Sequence, residues 1–230
     1  MTLDDARAEE APAPDVDRVD RSVSTRDRLL EAAIAVIDEH GEVGVRVTEI
    51  SDAAGVTRPS LYHFFGSREG LIVAAQAERY RRSIGYSNRD LRAVLATATT
   101  RDEYIKVLDR LLRTFGAPDG IARRRVRREA IGAAVFRPEL ARLIDEIDRD
   151  HVRRLVEIFR EGRGSEWVTS PYDLDAVMLW WLGTIHGRQF IDEGNDERVS
   201  LQWNDIVSRS VIRVLFGADA AGDPGPDYRF

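Results

Sequence analysis

The 230-residue chain is 43% apolar and 32% charged. That is the balance of a globular protein with a buried core, and it excludes a disordered chain; a membrane-spanning one is excluded because no run approaches the ~18 consecutive apolar residues a bilayer requires. Cysteine is absent, which excludes a disulfide framework and thiolate metal sites and accords with a reducing, cytoplasmic setting. The net charge of −6 is uneven, with seven acids against two arginines in residues 1–20 and eight acids against six arginines in residues 21–70. Bulk charge therefore does not point to a polyanionic partner, and only the placement of individual arginines can do so, because fields are local at a Debye length of ~8 Å.

Residues 1–20 are rich in Ala, Pro and Asp, have no apolar stretch resembling a secretory signal, and are expected to form a disordered acidic tail. From Thr25 to His40 the apolar residues Leu30, Ala33, Ile34 and Ile37 recur with helical spacing, and Gly41 supplies a stop. A short helix is expected over Val47–Ala54, closed by Gly55. Thr57 then stands at an N-cap position, with Pro59 in the next turn. The third helix carries Leu61, Tyr62 and Phe65 and ends at Gly66. Another starts near Ser67 and runs towards Gly85. Beyond it the period predicts helices over roughly 90–98, 101–115, 119–134, 138–162, 172–193 and 201–216, with Pro118, Pro138 and Pro171 at or near starts. Residues 217–230, with Gly222, Pro224, Gly225 and Pro226, read as a second flexible tail.

The turn Ala54-Gly55-Val56 between two short helices has the form of a helix-turn-helix. Glycine permits the reversal, and Val56 fills the angle between the helices. The second helix of such a unit presents its N-terminal residues to base edges in the major groove; here those are Thr57, Arg58, Ser60 and His63. Arg58 has the geometry to donate twice to a guanine, and the hydroxyls suit phosphate or base contacts.

The run from Ile50 to Leu71 resembles the DNA-binding signature of TetR-family regulators. The helix-turn-helix is followed by Tyr62-x-x-Phe65, then Ser67, Arg68, Glu69 and Leu71. The resemblance covers about residues 25–71, and the remainder agrees in length and helical character only. It implies an all-α protein with a three-helix DNA-binding domain over 21–70 and a helical ligand-binding and dimerisation domain over 71–216. It further implies that Tyr62 and Arg68 contact phosphates while Thr57, Arg58, Ser60 and His63 face the groove; Arg46 and Thr48 belong to the same expected DNA surface. One departure is clear: Arg46 stands where the family usually has a capping Ser or Thr, so the cap is lost although a charged phosphate contact is retained.

The resemblance also implies a ligand-responsive regulator, a repressor in the usual case, that binds double-stranded DNA as a homodimer and answers to a small-molecule effector by a shift of the helix around 70–85. Independently, residues 172–193 carry Leu174, Val177, Met178, Leu179, Trp180, Trp181, Leu182, Ile185, Phe190 and Ile191. A helix apolar all round needs cover on every side, and a second subunit is a sensible part of that cover. Trp180, Gly183, Gly187, Trp203, Val207, Ser210 and Val214 are the expected dimer residues, the glycines allowing close approach. Tyr104, Leu108, Phe115, Phe136, Phe159, Met178, Trp181 and His186 are the candidate pocket residues. The basic run Arg123-Arg124-Arg125 with Arg127 and Arg128 reads as a solvated helix face.

An enzyme is disfavoured. The four histidines lack His-Glu-x-x-His spacing, no Gly-x-Ser-x-Gly elbow occurs, and Gly66–Gly70 lacks the Lys-Ser/Thr of a phosphate loop. No cofactor, metal or membrane partner is expected. The alternative is a helical small-molecule-binding protein that does not use its helix-turn-helix.

Overall fold

Ser24 starts the first helix: its hydroxyl accepts from the Asp27 amide at 3.1 Å, satisfying a donor that the first turn leaves open. The computed structural model describes residues 24–84, 88–114, 118–188, 190–191 and 197–221. The expected acidic tail over 1–20, Phe115, and residues 222–230 of the expected C-terminal tail lie outside them. Ten α-helices are found among the described residues: α1 Thr25–His40, α2 Val47–Ala53, α3 Arg58–Phe65, α4 Arg68–Ser83, α5 Asn88–Leu95, α6 Arg101–Thr114, α7 Pro118–Ala134, α8 Pro138–Glu161, α9 Leu174–Arg188 and α10 Glu197–Phe216. The all-α expectation holds, and no described helix is long and apolar enough to cross a membrane.

The chain divides into two compact units, with the boundary between Ile72 and Val73, inside α4. In the first, α1 packs on both α2 and α3. Leu29, Ala33 and Ile37 of α1, Ile50 of α2 and Leu61 of α3 are all buried, so each helix contributes the stripe its period assigns to the core. Gly55 adopts φ 65°, the left-handed conformation that reverses the chain at little cost only for glycine. The Val56 amide then donates to the Ser51 carbonyl at 2.9 Å, tying the turn to α2.

In the second unit α6 packs along α10, and α8 packs against α5, α7 and α9. One apolar cluster joins α5, α6, α8, α9 and α10 around Tyr104, Leu108, Phe159, Met178, Trp181 and Phe216. Another joins the later part of α4 to α7 and the start of α8 through Tyr80, Ala130, Leu140 and Ile144. On α8, Leu140, Ile144, Leu155 and Phe159 are buried, an inward stripe at helical spacing.

Two expectations need correction. Residues 217–221 do not simply begin a tail: Ala218–Ala221 form a 3-10 turn, and Ala220 packs on the apolar cluster. The basic run on α7 is not a uniformly solvated face. Arg124 and Arg127 are buried while Arg125 is exposed, because positions 124, 127 and 130 follow the same inward stripe that ends in the fully buried Ala130.

Candidate nucleic-acid interface and ligand cavity

The candidate recognition surface begins at the N-terminus of α3. Thr57 is its N-cap but makes no side-chain capping bond; its hydroxyl lies 3.0 Å from that of Ser60. Thr57, Arg58 and His63 are exposed and Ser60 is half-buried. Tyr62 is 49% exposed, a position where a tyrosine contributes little to the core. Phe65 is half-buried, and the guanidinium of Arg26 on α1 stands 5.3 Å from its ring centroid. Arg46 precedes α2 without capping it and instead pairs with Glu49 at 3.2 Å. Both partners are well exposed, so the pair is easily exchanged for another anion. Thr48 is exposed on the first turn of the same helix.

Arg68 differs from its sequence-based assignment in what holds it. Its Nε donates to the Val45 carbonyl and its Nη2 to the Glu42 carbonyl, each at 2.7 Å. It thus pins the start of α4 to the segment that leads into α2. Arg68→Ala is expected to destabilise the first unit by about 1–2 kcal/mol, the range for charge-assisted hydrogen bonds discounted for partial exposure. DNA affinity should then fall on every sequence while the slope of log K against log salt stays unchanged. A slope shallower by about 0.9 would instead assign Arg68 a phosphate contact.

The second unit contains a cavity of about 30 Å³ among α5–α9, walled by Leu108, Leu111, Leu112, Leu155, Trp181 and Leu182. Ile84, Leu91 and Ile185 complete its apolar part, and Arg127, His151 and His186 its polar part. Such a volume accepts about one or two waters as it stands. Of the candidate pocket residues, Leu108, Trp181 and His186 are brought together here. Tyr104, Phe159 and Met178 are buried in the neighbouring core without lining the cavity. Phe136 is 90% exposed in the turn after α7: the helix ends at Ala134, so the next inward position never forms.

The polar side of the cavity is a buried network. The Tyr80 hydroxyl donates to Asp148 Oδ1 at 2.8 Å and lies 3.3 Å from His186 Nε2. Burial and the adjacent Asp148 push the Tyr80 phenol upward, and burial likewise raises the Asp148 carboxyl. Burial lowers His186 and His151 to about 4 in each case, aided by nearby arginines, so both imidazoles are neutral at pH 7. Arg127 is pushed down to about 10 by burial and by Arg124 and Arg123 close by, and it remains charged. Arg127, His151, Tyr80 and Asp148 are not among the candidates from sequence. The 124–127–130 spacing is the available signal, and the polarity of arginine conceals it.

The expected dimer residues fall into two groups. Trp180, Gly183 and Gly187 are exposed on α9. A Cβ at either glycine would meet nothing within 4 Å. Trp203, Val207, Ser210 and Val214 are half-buried on α10. Val207 and Val214 lean on the apolar cluster, and the Trp203 ring lies under the Arg188 guanidinium at 5.5 Å.

Residues 29–75 match the family described as bacterial regulatory proteins, tetR family. The HTH-type transcriptional regulator BetI of Rhizobium meliloti is 34% identical over 86 residues, 37% of this chain and 40% of BetI. The HTH-type transcriptional repressor AcnR of Corynebacterium efficiens is 36% identical over 59 residues, 26% of this chain and 31% of AcnR. The chain thus matches 40% or less of the length of either relative. A TetR-family transcriptional regulator from Cytophaga hutchinsonii superposes with a TM-score of 0.57 at 17% identity, covering 83% of this chain and 94% of that one, which establishes a common fold. Residues 29–75 thus match the DNA-binding region of the tetR family, and the chain shares the fold of a solved regulator of that family.

Proposed function

We propose that the protein is a ligand-responsive repressor that binds a near-palindromic operator as a homodimer, through α3. The observation that carries this reading is the exposed face of α3, where Thr57, Arg58, Tyr62 and His63 stand on a folded helix-turn-helix with no core role to explain them. Arg58 reads a guanine, Tyr62 and Arg46 hold phosphates, and Thr48, Ser60 and His63 complete the contact surface. A two-fold dimer places two such helices about one DNA turn apart, roughly 34 Å.

The dimer rests on the exposed apolar residues of the last two helices, Leu179, Trp180 and Ile206 among them. The effector enters the cavity around Leu108, Trp181 and His186. Helix α4 runs unbroken from Arg68 to Ser83, from the recognition unit into the unit that holds the cavity, and is the element through which occupancy alters DNA affinity. Coupling of this kind is typically about 1–3 kcal/mol.

Fluorescence anisotropy on the gene's own upstream DNA, with scrambled DNA as control and at several salt concentrations, tests the reading. Preferential, salt-dependent binding with two subunits per site is expected. Arg58→Ala is expected to cost about 1–3 kcal/mol and relax specificity at one position in each half-site, whereas Tyr62→Phe weakens binding on all sequences alike. If both variants bind as the parent does, α3 is not the recognition helix. Equal binding to scrambled DNA would favour a ligand-binding protein that does not use its motif.

A further inference from the structure

Arg127 is 6% exposed, and its guanidinium has one hydrogen bond among the described residues, from Nη1 to the Ser83 carbonyl at 2.5 Å. Its Nε is buried with no acceptor. A native protein seldom leaves a charged donor in this condition, because a buried cation requires both a counter-charge and satisfied N–H groups. Arg127 forms no ion pair with a described carboxylate. Asp148, the acid whose charge acts on Arg127, accepts instead from the Tyr80 hydroxyl. The two histidines beside the cavity are neutral.

Arg127 also stands in the wall of a second cavity of about 30 Å³, which shares Ile84, Leu112, Arg127 and Ile185 with the first and adds Arg123, Arg124 and Arg188. One side of Arg127 is thus a box of leucines and a tryptophan. The other is a compartment edged by three more guanidinium groups and by Asn204, with no described acid in its lining. The arrangement is a buried guanidinium with an unmet Nε donor at the boundary between an apolar space and one lined by arginines.

We propose that the effector is an apolar carboxylate: its hydrocarbon body lies among Leu108, Leu112, Leu155 and Trp181, and its carboxylate accepts from Arg127. This deepens the ligand-responsive reading above and rests on it. Planar, bidentate pairing with a carboxylate is what a guanidinium offers and an ammonium does not. A cationic effector is disfavoured by the same charges, and a neutral amide offers one acceptor oxygen but no counter-charge. On this proposal the effector is admitted by rotation of the leucines in the cavity wall between staggered rotamers. Binding has a structural consequence too. The Ser83 carbonyl that Arg127 now holds belongs to the last residue of α4, so a carboxylate that draws the guanidinium towards itself loosens the end of that helix.

The test uses the full chain with octanoate and phenylacetate as probes and octanamide and octylamine as controls of like shape. Intrinsic fluorescence reports on Trp181, and thermal melting reports on binding independently. Saturable stabilisation by octanoate, phenylacetate or both is expected, with the amide and the amine weaker by about tenfold or more. Arg127→Gln removes the preference for carboxylate over amide, and Arg127→Lys keeps part of it. Should Arg127→Gln fail to fold, the parent's own preference and the Lys variant still decide. Equal binding of amide or amine, or no response to either carboxylate at millimolar concentration, overturns the proposal. Operator anisotropy on the same samples separates the two ideas. Specific DNA binding without a carboxylate response keeps the regulator and discards this effector class. Carboxylate binding through Arg127 without DNA preference keeps the cavity's chemistry and discards the regulator.

Discussion

Leu179→Arg is expected to yield a monomer whose affinity for the operator is lower by about 100- to 10,000-fold, the range lost when two linked binding events become one. Leu179 is 63% exposed on α9, and Trp180 beside it and Ile206 on α10 are exposed as well. Tyr172, Ala176, Trp180 and Val214 line an apolar groove there. A soluble protein rarely leaves so much apolar surface open without a partner. Because Leu179 contributes little to the core of its own subunit, the arginine should leave the helical signal and melting of the protomer nearly unchanged. Gly183→Leu probes the same face by bulk instead of charge, since a Cβ there meets nothing within 4 Å. Light scattering at micromolar concentration, paired with anisotropy on the operator, checks both. Unaltered dimer mass in both variants would place the interface elsewhere.

Asp205→Ala is expected to destabilise the second unit by about 2–3 kcal/mol. Asp205 Oδ1 accepts from Arg113 Nη2 at 2.6 Å, joining α10 to α6, and Oδ2 accepts from Arg209 Nε at 2.8 Å. Arg113 also holds Asp109, which in turn accepts from the Ser208 hydroxyl. The Asp205 side chain is 8% exposed and Arg113 37%. The cost therefore falls below the ~3–5 kcal/mol of a fully buried pair that loses one member. At about 2–4 °C per kcal/mol for a chain of this size, melting should drop by about 4–12 °C. Burial acts to raise the Asp205 carboxyl, but hydrogen bonds from Arg113 and Arg209 more than offset it and hold it below the usual carboxylate range. Its contribution is then fully present above the unfolded value of about 4 and is lost as pH falls through the lower folded value. An Asp205→Asn variant should accordingly differ from the parent at neutral pH and converge with it in strong acid. A constant difference across that range would show that the carboxylate's charge is not what matters.

Much of the molecule is legible as local pattern. The stop at Gly41, the glycine turn at Gly55 and the inward stripe of α8 follow from spacing and from a conformation open only to glycine. The candidate DNA-contact residues lie between positions 46 and 68, so one short segment carries them all. The cavity is different. Tyr80 meets Asp148 across 68 residues and His186 across 106, and Arg79 meets Glu129 across 50. No local period contains such pairs. Residue type misleads in both directions: Phe136 has the character of a pocket wall and is exposed in a turn, while Arg127 has the character of a surface residue and is buried. Arg68 holds the position of a phosphate ligand in the signature, yet its guanidinium is engaged by two backbone carbonyls.

By itself, then, the sequence determined the helices to within a few residues at their ends, and the helix-turn-helix, because hydrogen bonds within a helix and the φ preferences of its capping residues act over a few residues. Only the tertiary structure decided which side of α9 is covered and which charged groups on α7 turn inward. A helix apolar on all sides has no preferred face until neighbours pack against it. A guanidinium becomes a buried, partly unsatisfied donor only when segments distant in the chain close around it and exclude water.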